Sequence, residues 1–209
     1  MEEKKTSKKW IFIIIFIIGL WMISLIISSI FSMGDDEEGF GKFADGNVAI
    51  IQISGPIMVS NGDSIFSSDM TTSDTVIKYL KKANETENIK AIVLEINSPG
   101  GSAVASDEIG RAVKEAGKPT VAWIREVGAS GGYWIASSTN HIVANRMSIT
   151  GSIGVIGSYL EFAGLIDKYN ITYRRMASGK YKDMGSPFKE QTQEEAQIFQ
   201  GILDEIYEE

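Results

Sequence analysis

Hydrophobic and polar positions divide the chain into two regimes. Residues 10–33 carry no charge and are dominated by Ile, Phe and Leu. As a helix at about 1.5 Å per residue, this stretch reaches roughly 36 Å, enough to cross a hydrocarbon layer of about 30 Å with some tilt. Beyond residue 46, short β-branched runs alternate with amphipathic stretches. Residues 47–53 predict a strand ended by Gly55-Pro56. Ser73 caps a predicted helix over 73–84, with Val76, Ile77 and Leu80 on one face. Residues 91–94 predict a buried strand running into Asn97-Ser98-Pro99-Gly100-Gly101, and a helix follows over 102–116. Further strands are predicted at 120–124, 141–144, 152–157 and 171–176, with helices at 130–137 and 161–169 between them. Thr192-Gln193-Glu194-Glu195 is a capping box that opens a last helix. Strands separated by helices at this spacing predict an α/β fold of right-handed βαβ units with a mainly parallel sheet.

Charge gives the first regime a direction. Lys4, Lys5, Lys8 and Lys9 precede the apolar run, and Asp35, Asp36, Glu37 and Glu38 follow it. The positive-inside bias then predicts residues 1–9 as a cytoplasmic tail, 10–33 as a single-pass transmembrane anchor, and the remainder outside the cytoplasm. A cleaved signal peptide fits less well, because its apolar region is normally about 7–15 residues and ends in small residues. The acidic, then Gly-rich stretch 34–46 reads as a stalk. The whole chain has a net charge of −7, but its first nine residues sum to +2. An acidic ectodomain argues against nucleic acid as a partner, which wants a basic footprint.

Composition removes several chemistries. There is no cysteine, so thiolate catalysis, disulfides and Cys-ligated metals are excluded. His141 is the single histidine, and no Asp/Glu group has ligand-like spacing, so no metal centre is expected.

What remains is carried by three glycine-rich turns, each after a predicted strand. Such turns expose backbone N–H groups that can stabilise an oxyanion. In the first, Ser98-Pro99-Gly100-Gly101-Ser102, Gly100 and Gly101 are the candidate donors. The second, Gly128-Ala129-Ser130-Gly131-Gly132, fits the G-x-S-x-G nucleophile elbow, with Ser130 uncrowded by its neighbours. The third is Thr150-Gly151-Ser152-Ile153-Gly154, where a hydroxyl could hold a catalytic group in place. Each string alone is commonly just a tight turn. An elbow serine needs a base, and His141, inside a short apolar strand eleven residues on, suits a sheet face better than catalysis. A lysine can serve once burial lowers its pKa, as in known Ser–Lys variants of the triad. Lys180 and Lys182 stand in a turn-rich segment, two residues apart and so on one face if extended. Residue-level reasoning leaves both open.

In their order along the chain, Asn97-Ser98-Pro99-Gly100-Gly101, Gly128-Ala129-Ser130-Gly131-Gly132-Tyr133, Thr150-Gly151-Ser152-Ile153-Gly154-Val155 and Ser178-Gly179-Lys180-Tyr181-Lys182-Asp183 resemble the motifs of signal peptide peptidase A. That family comprises membrane-anchored Ser–Lys serine peptidases on a ClpP/crotonase-type fold, and the resemblance covers residues 47–209. It implies Ser130 as nucleophile, Lys182 rather than Lys180 as general base, Ser152 as the serine that orients the lysine, and Gly100 and Gly101 in the oxyanion hole. It also implies a homo-oligomer, remnant signal peptides and other short hydrophobic peptides as substrates, and no cofactor. Family members usually continue beyond the position of Glu209, so the peptidase domain is expected to lack a C-terminal segment. That shortfall gives a non-catalytic membrane scaffold of the same fold as the alternative reading. An acyl-CoA enzyme of the crotonase type is disfavoured by the external location.

Overall fold

The computed structural model describes residues 6–32, 41–42, 46–60 and 70–209. A helix, α1, spans Thr6–Ser32. Within it the side chains of residues 12–27 are described, and nearly all are exposed. Among the described residues no helix is long and apolar enough to cross a membrane. Those 16 positions rise about 24 Å, whereas all 27 residues of α1 rise about 40 Å. Of the predicted stalk, Gly41–Lys42 forms a short strand, β1, while 34–40 and 43–45 lie outside the described residues.

Four strands follow in the first part of the domain: β2 (Val48–Ser54), β3 (Ile57–Met58), β4 (Thr71–Thr72) and β5 (Ala91–Ser98). β6 (Thr120–Ala129), β7 (His141–Ala144) and β8 (Ile149–Gly151) come later. The helices are α2 (Ser73–Glu85), α3 (Ala103–Lys114), α4 (Gly131–Ser137), α5 (Ala163–Lys168) and α6 (Gln193–Glu208). The main sheet has the order β1-β2-β5-β6-β7, with β8 also on β6. All its pairings are parallel except β1 on β2. The predicted α/β class and parallel βαβ organisation therefore hold.

One face of the sheet makes the core. Ile51, Ile53, Ile92, Leu94, Ile96 and Ile124 are fully buried beneath Val76 and Leu80 of α2, Ile109 of α3 and Ile135 of α4. The opposite face is open and carries Val48, Ile50, Trp123 and Val143. The Arg125 guanidinium lies 4.5 Å from the Trp123 ring centre and pairs with Glu95 on that face. Parallel sheets are ordinarily clad on both sides, so this one is half covered.

Local chemistry explains where the helices start. Thr72, not Ser73, caps α2 by accepting from the Thr75 N–H, and the Ser73 hydroxyl instead bonds Glu108 and the Val59 carbonyl. Ser102 caps α3, and Thr192 and Glu195 form the predicted capping box on α6.

Two predicted strands are absent. Residues 152–157 are irregular because Gly151, Ser152 and Gly154 have φ of 88°, 55° and 153°, so the extended run ends with β8. Residues 171–176 are likewise not a strand; Asn170, at φ 53°, turns the chain after α5, and the segment that follows is exposed. The predicted 161–169 helix is trimmed to α5, whose N-cap Phe162 offers no side-chain bond.

Two substitutions test this architecture. The Lys118 ammonium donates to the Ala83 and Thr86 carbonyls, at 2.5 and 2.7 Å, closing the C-terminal end of α2. Lys118→Ala is expected to cost about 1–2 kcal/mol in urea denaturation. A Cβ on Gly101 would stand 2.1 Å from the Ile57 carbonyl oxygen, a main-chain atom that has little room to move. Gly101→Ala is expected to cost about 3 kcal/mol. Gly117→Ala, with nothing within 4 Å, should stay within about 0.5 kcal/mol of wild type in the same measurement.

Candidate active site

Ser130 stands where β6 ends and α4 begins. The second half of β6 is held by β8, with Val127 opposite Ile149 and Ala129 opposite Gly151. The ladder extends one step further, and the Ser130 N–H donates to the Gly151 carbonyl at 2.8 Å. Ser130 itself takes φ 50° and ψ −123°, a conformation that costs a non-glycine residue about 1–3 kcal/mol and persists only where its surroundings enforce it. Its carbonyl accepts from the Tyr133 and Trp134 N–H groups, starting α4. Its hydroxyl makes no capping bond to the helix, and the residue is half-buried, so Oγ is uncommitted at an accessible corner.

The first glycine turn lies against this corner. A Cβ on Gly100 would come within 2.8 Å of Ser130 Cβ and 2.6 Å of the Gly131 nitrogen, so only glycine permits this approach. The Ser98 hydroxyl fixes the turn by donating to the Gly55 carbonyl at 2.6 Å and accepting from the Gly100 N–H at 3.1 Å. The Gly100 carbonyl accepts from the Ile57 N–H, and the Ile57 carbonyl accepts from the Ser102 N–H. Between these two bonds the Gly101 N–H has no acceptor among the described residues. Gly131, at the first position of α4, has no intrahelical acceptor either. A Cβ on Gly131 would stand 3.4 Å from the Gly101 nitrogen. Two unspent N–H donors, from separate elements, therefore lie side by side next to Ser130. Gly131 is a donor that the sequence reading passed over, although the residue after an elbow serine is where such a donor is expected.

The third turn reaches the same corner. Ser152 follows Gly151, whose carbonyl holds the Ser130 N–H, and it takes a left-handed φ of 55°. Its hydroxyl is exposed and makes no hydrogen bond among the described residues. His141 pairs with Val121, eight residues before Ala129 on β6, which places it about 26 Å from the elbow along the strand. A shallow cleft of about 380 Å³ lined by Trp123, Arg125, Asn145 and Met147 opens without touching Ser130.

The two candidate lysines differ in their partners. The Lys180 ammonium reaches both oxygens of Glu194, at 2.6 and 2.8 Å, and the Tyr181 hydroxyl shares that carboxylate. Hydrogen bonding to Glu194, then to Tyr181, holds the Lys180 ammonium far above the ordinary lysine range, which is the wrong state for a proton acceptor. Lys182 is exposed, with its N–H on the Gly179 carbonyl at 3.4 Å, and its amine has no hydrogen bond or ion pair among the described residues. The single chain thus brings Ser130, the glycine turn and Ser152 together. No hydrogen bond or ion pair joins Lys182 to them.

Comparison with known proteins places this arrangement. Residues 112–209 match the model of peptidase family S49. A candidate protease of Methanocaldococcus jannaschii is 34% identical over 95% of this chain and 66% of its own length. A candidate signal peptide peptidase A of Enterococcus faecium is 32% identical over 82% of this chain and 50% of its own length. Among solved structures, ClpP1 of Listeria monocytogenes overlaps at a TM-score of 0.36 with 23% identity, covering 43% of this chain and 46% of that one. The chain thus spans about half to two thirds of the two relatives' lengths. With the ordered motifs and the elbow geometry, the chain belongs to peptidase family S49, the family of signal peptide peptidase A.

Proposed function

We propose that the protein is a membrane-anchored serine endopeptidase in which Ser130 is the nucleophile and Lys182 the general base. The observation that carries the reading is the strained elbow at Ser130, with an uncommitted hydroxyl beside two unspent backbone donors. Ser130 Oγ attacks the peptide carbonyl as Lys182 takes its proton. The Gly101 and Gly131 N–H groups hold the resulting oxyanion, with Gly100 shaping the turn between them. Lys182 then protonates the leaving amine, and water resolves the acyl-enzyme. Ser152, one residue from the carbonyl that fixes Ser130, orients the lysine. Lys182 is chosen over Lys180 because Glu194 already occupies the latter.

The uncharged run at 10–33, of which residues 10–32 lie in α1, is read as the single-pass anchor, with the peptidase domain outside the cytoplasm. A site next to a membrane suits short hydrophobic peptides, including remnant signal peptides. Ile153, Ile156, Leu160 and Met176 are 72–97% exposed in one stretch of the chain. Apolar exposure of that kind is read as the surface of a homo-oligomer.

One observation favours a non-catalytic scaffold instead: the single chain leaves Lys182 unjoined to Ser130. Reaction with a fluorophosphonate probe separates the readings. Wild type should be labelled at Ser130, while Ser130→Ala should not react, and Lys182→Ala should react at least about 100-fold more slowly. An unreactive wild-type Ser130 in folded protein decides for the scaffold. For assembly, Ile156→Asp should lower the mass measured by light scattering in detergent, and a wild-type chain that is already monomeric overturns the oligomer.

A further inference from the structure

The segment that carries Lys182 is tied down on both sides of that residue. Asp183, its immediate neighbour, forms ion pairs with the Arg175 guanidinium and, at 3.6 Å, with the Lys189 ammonium. Both Asp183 carboxylate oxygens are enclosed and accept no hydrogen bond of regular geometry, so these cations are what meets them. Lys189 in turn pairs with Glu195, which is only 3% exposed. Glu195 is also the capping-box residue of α6, with one oxygen accepting from the Thr192 N–H at 3.0 Å. On the other side of Lys182, Lys180 and Tyr181 both bind Glu194. The adjacent carboxylates Glu194 and Glu195 therefore grip the turn from two directions. Gly179 and Gly185, at φ 102° and 80°, let the backbone bend at each end. Of the four residues 180–183, Lys182 alone has a side chain with no partner among the described residues.

We infer that Asp183 is a positioning residue: with Arg175, Lys189 and the Glu194–Glu195 pair, it fixes the backbone of Lys182 while leaving the lysine amine uncommitted. This rests on the reading of Lys182 as the base. Two carboxylates and two cations cancel in the inner cluster of Arg175, Asp183, Lys189 and Glu195, so the enclosed carboxylates of Asp183 and Glu195 are each met by a cation that reaches solvent. A base must be held within a fraction of an ångström of its productive place, and neighbouring groups with locked geometry supply that constraint.

The test uses the full chain in detergent and measures the rate of Ser130 modification by a fluorophosphonate across pH, with thermal melting alongside. Asp183→Asn should slow the reaction about 100-fold and displace its pH midpoint, since a loosened base misses its position by about an ångström. Asp183→Glu should recover part of the rate. Glu194→Gln, at an exposed residue, should slow the reaction by about 3- to 10-fold with melting unchanged, because it releases one grip only. If Asp183→Asn reacts at the wild-type rate with the wild-type pH midpoint while Lys182→Ala is slow, the positioning role fails and the base assignment stands. If Lys182→Ala reacts like wild type, the base assignment itself fails. Should Asp183→Asn not fold, Glu194→Gln decides: a wild-type rate overturns the inference.

Discussion

β5 and β6 run in register from Ile92–Thr120 to Ile96–Ile124, then slip, so that Ser98 meets Gly128. The Asn97 carboxamide spans the slip by accepting from the Val127 N–H at 3.1 Å. That bond bridges the residues by which β6 outruns β5, just before the stretch that leads into the elbow. It lets β6 continue beyond the point where its partner pairing breaks, and the continuation is what β8 grips. Ser130 therefore sits at the tip of a strand held by β5 at Gly128 and by β8 from Val127 to Ala129.

The same slip aligns the two glycine turns. Because Ser98 is opposite Gly128, the Pro99-Gly100-Gly101 turn and the Ser130-Gly131 corner leave the sheet at the same level. Ile57 then locks the first turn from the other side through its N–H and carbonyl. A side chain at Gly101 has nowhere to go, and one at Gly100 would press on Ser130. The unspent N–H groups next to Ser130 are thus held by close backbone packing around Ile57, with the Ser98 hydroxyl bracing the turn.

Much of this was legible in the residues. Short β-branched and apolar runs located β2, β5 and β7, and Thr192 with Glu195 announced α6, because strand preference and capping act over a few adjacent residues. Ser130 was legible for the same reason, since its surrounding glycines are local. The strands expected at 152–157 and 171–176 did not form. Their composition suits a strand, but left-handed backbone at Gly151, Ser152 and Asn170 diverts the chain, and a strand needs a partner that no local pattern encodes. The choice between Lys180 and Lys182 was illegible residue by residue. It turns on Glu194, twelve to fourteen positions downstream, reaching one lysine and not the other. Gly131 was missed because its contribution is an N–H group, which every residue but proline carries.

The hydrogen bond from the Ser130 N–H to Gly151 has a consequence for how the molecule would fail. It restrains a backbone conformation that is uphill by itself, at the rim of a sheet whose core is otherwise fully buried. Elements of that kind open locally, well below the free energy of global unfolding. Heating or mild denaturant would then relax the elbow to an ordinary turn while β2, β5 and the first half of β6 stay protected against hydrogen exchange. Under such opening, a chain with intact secondary structure would not thereby hold Ser130 in its strained turn.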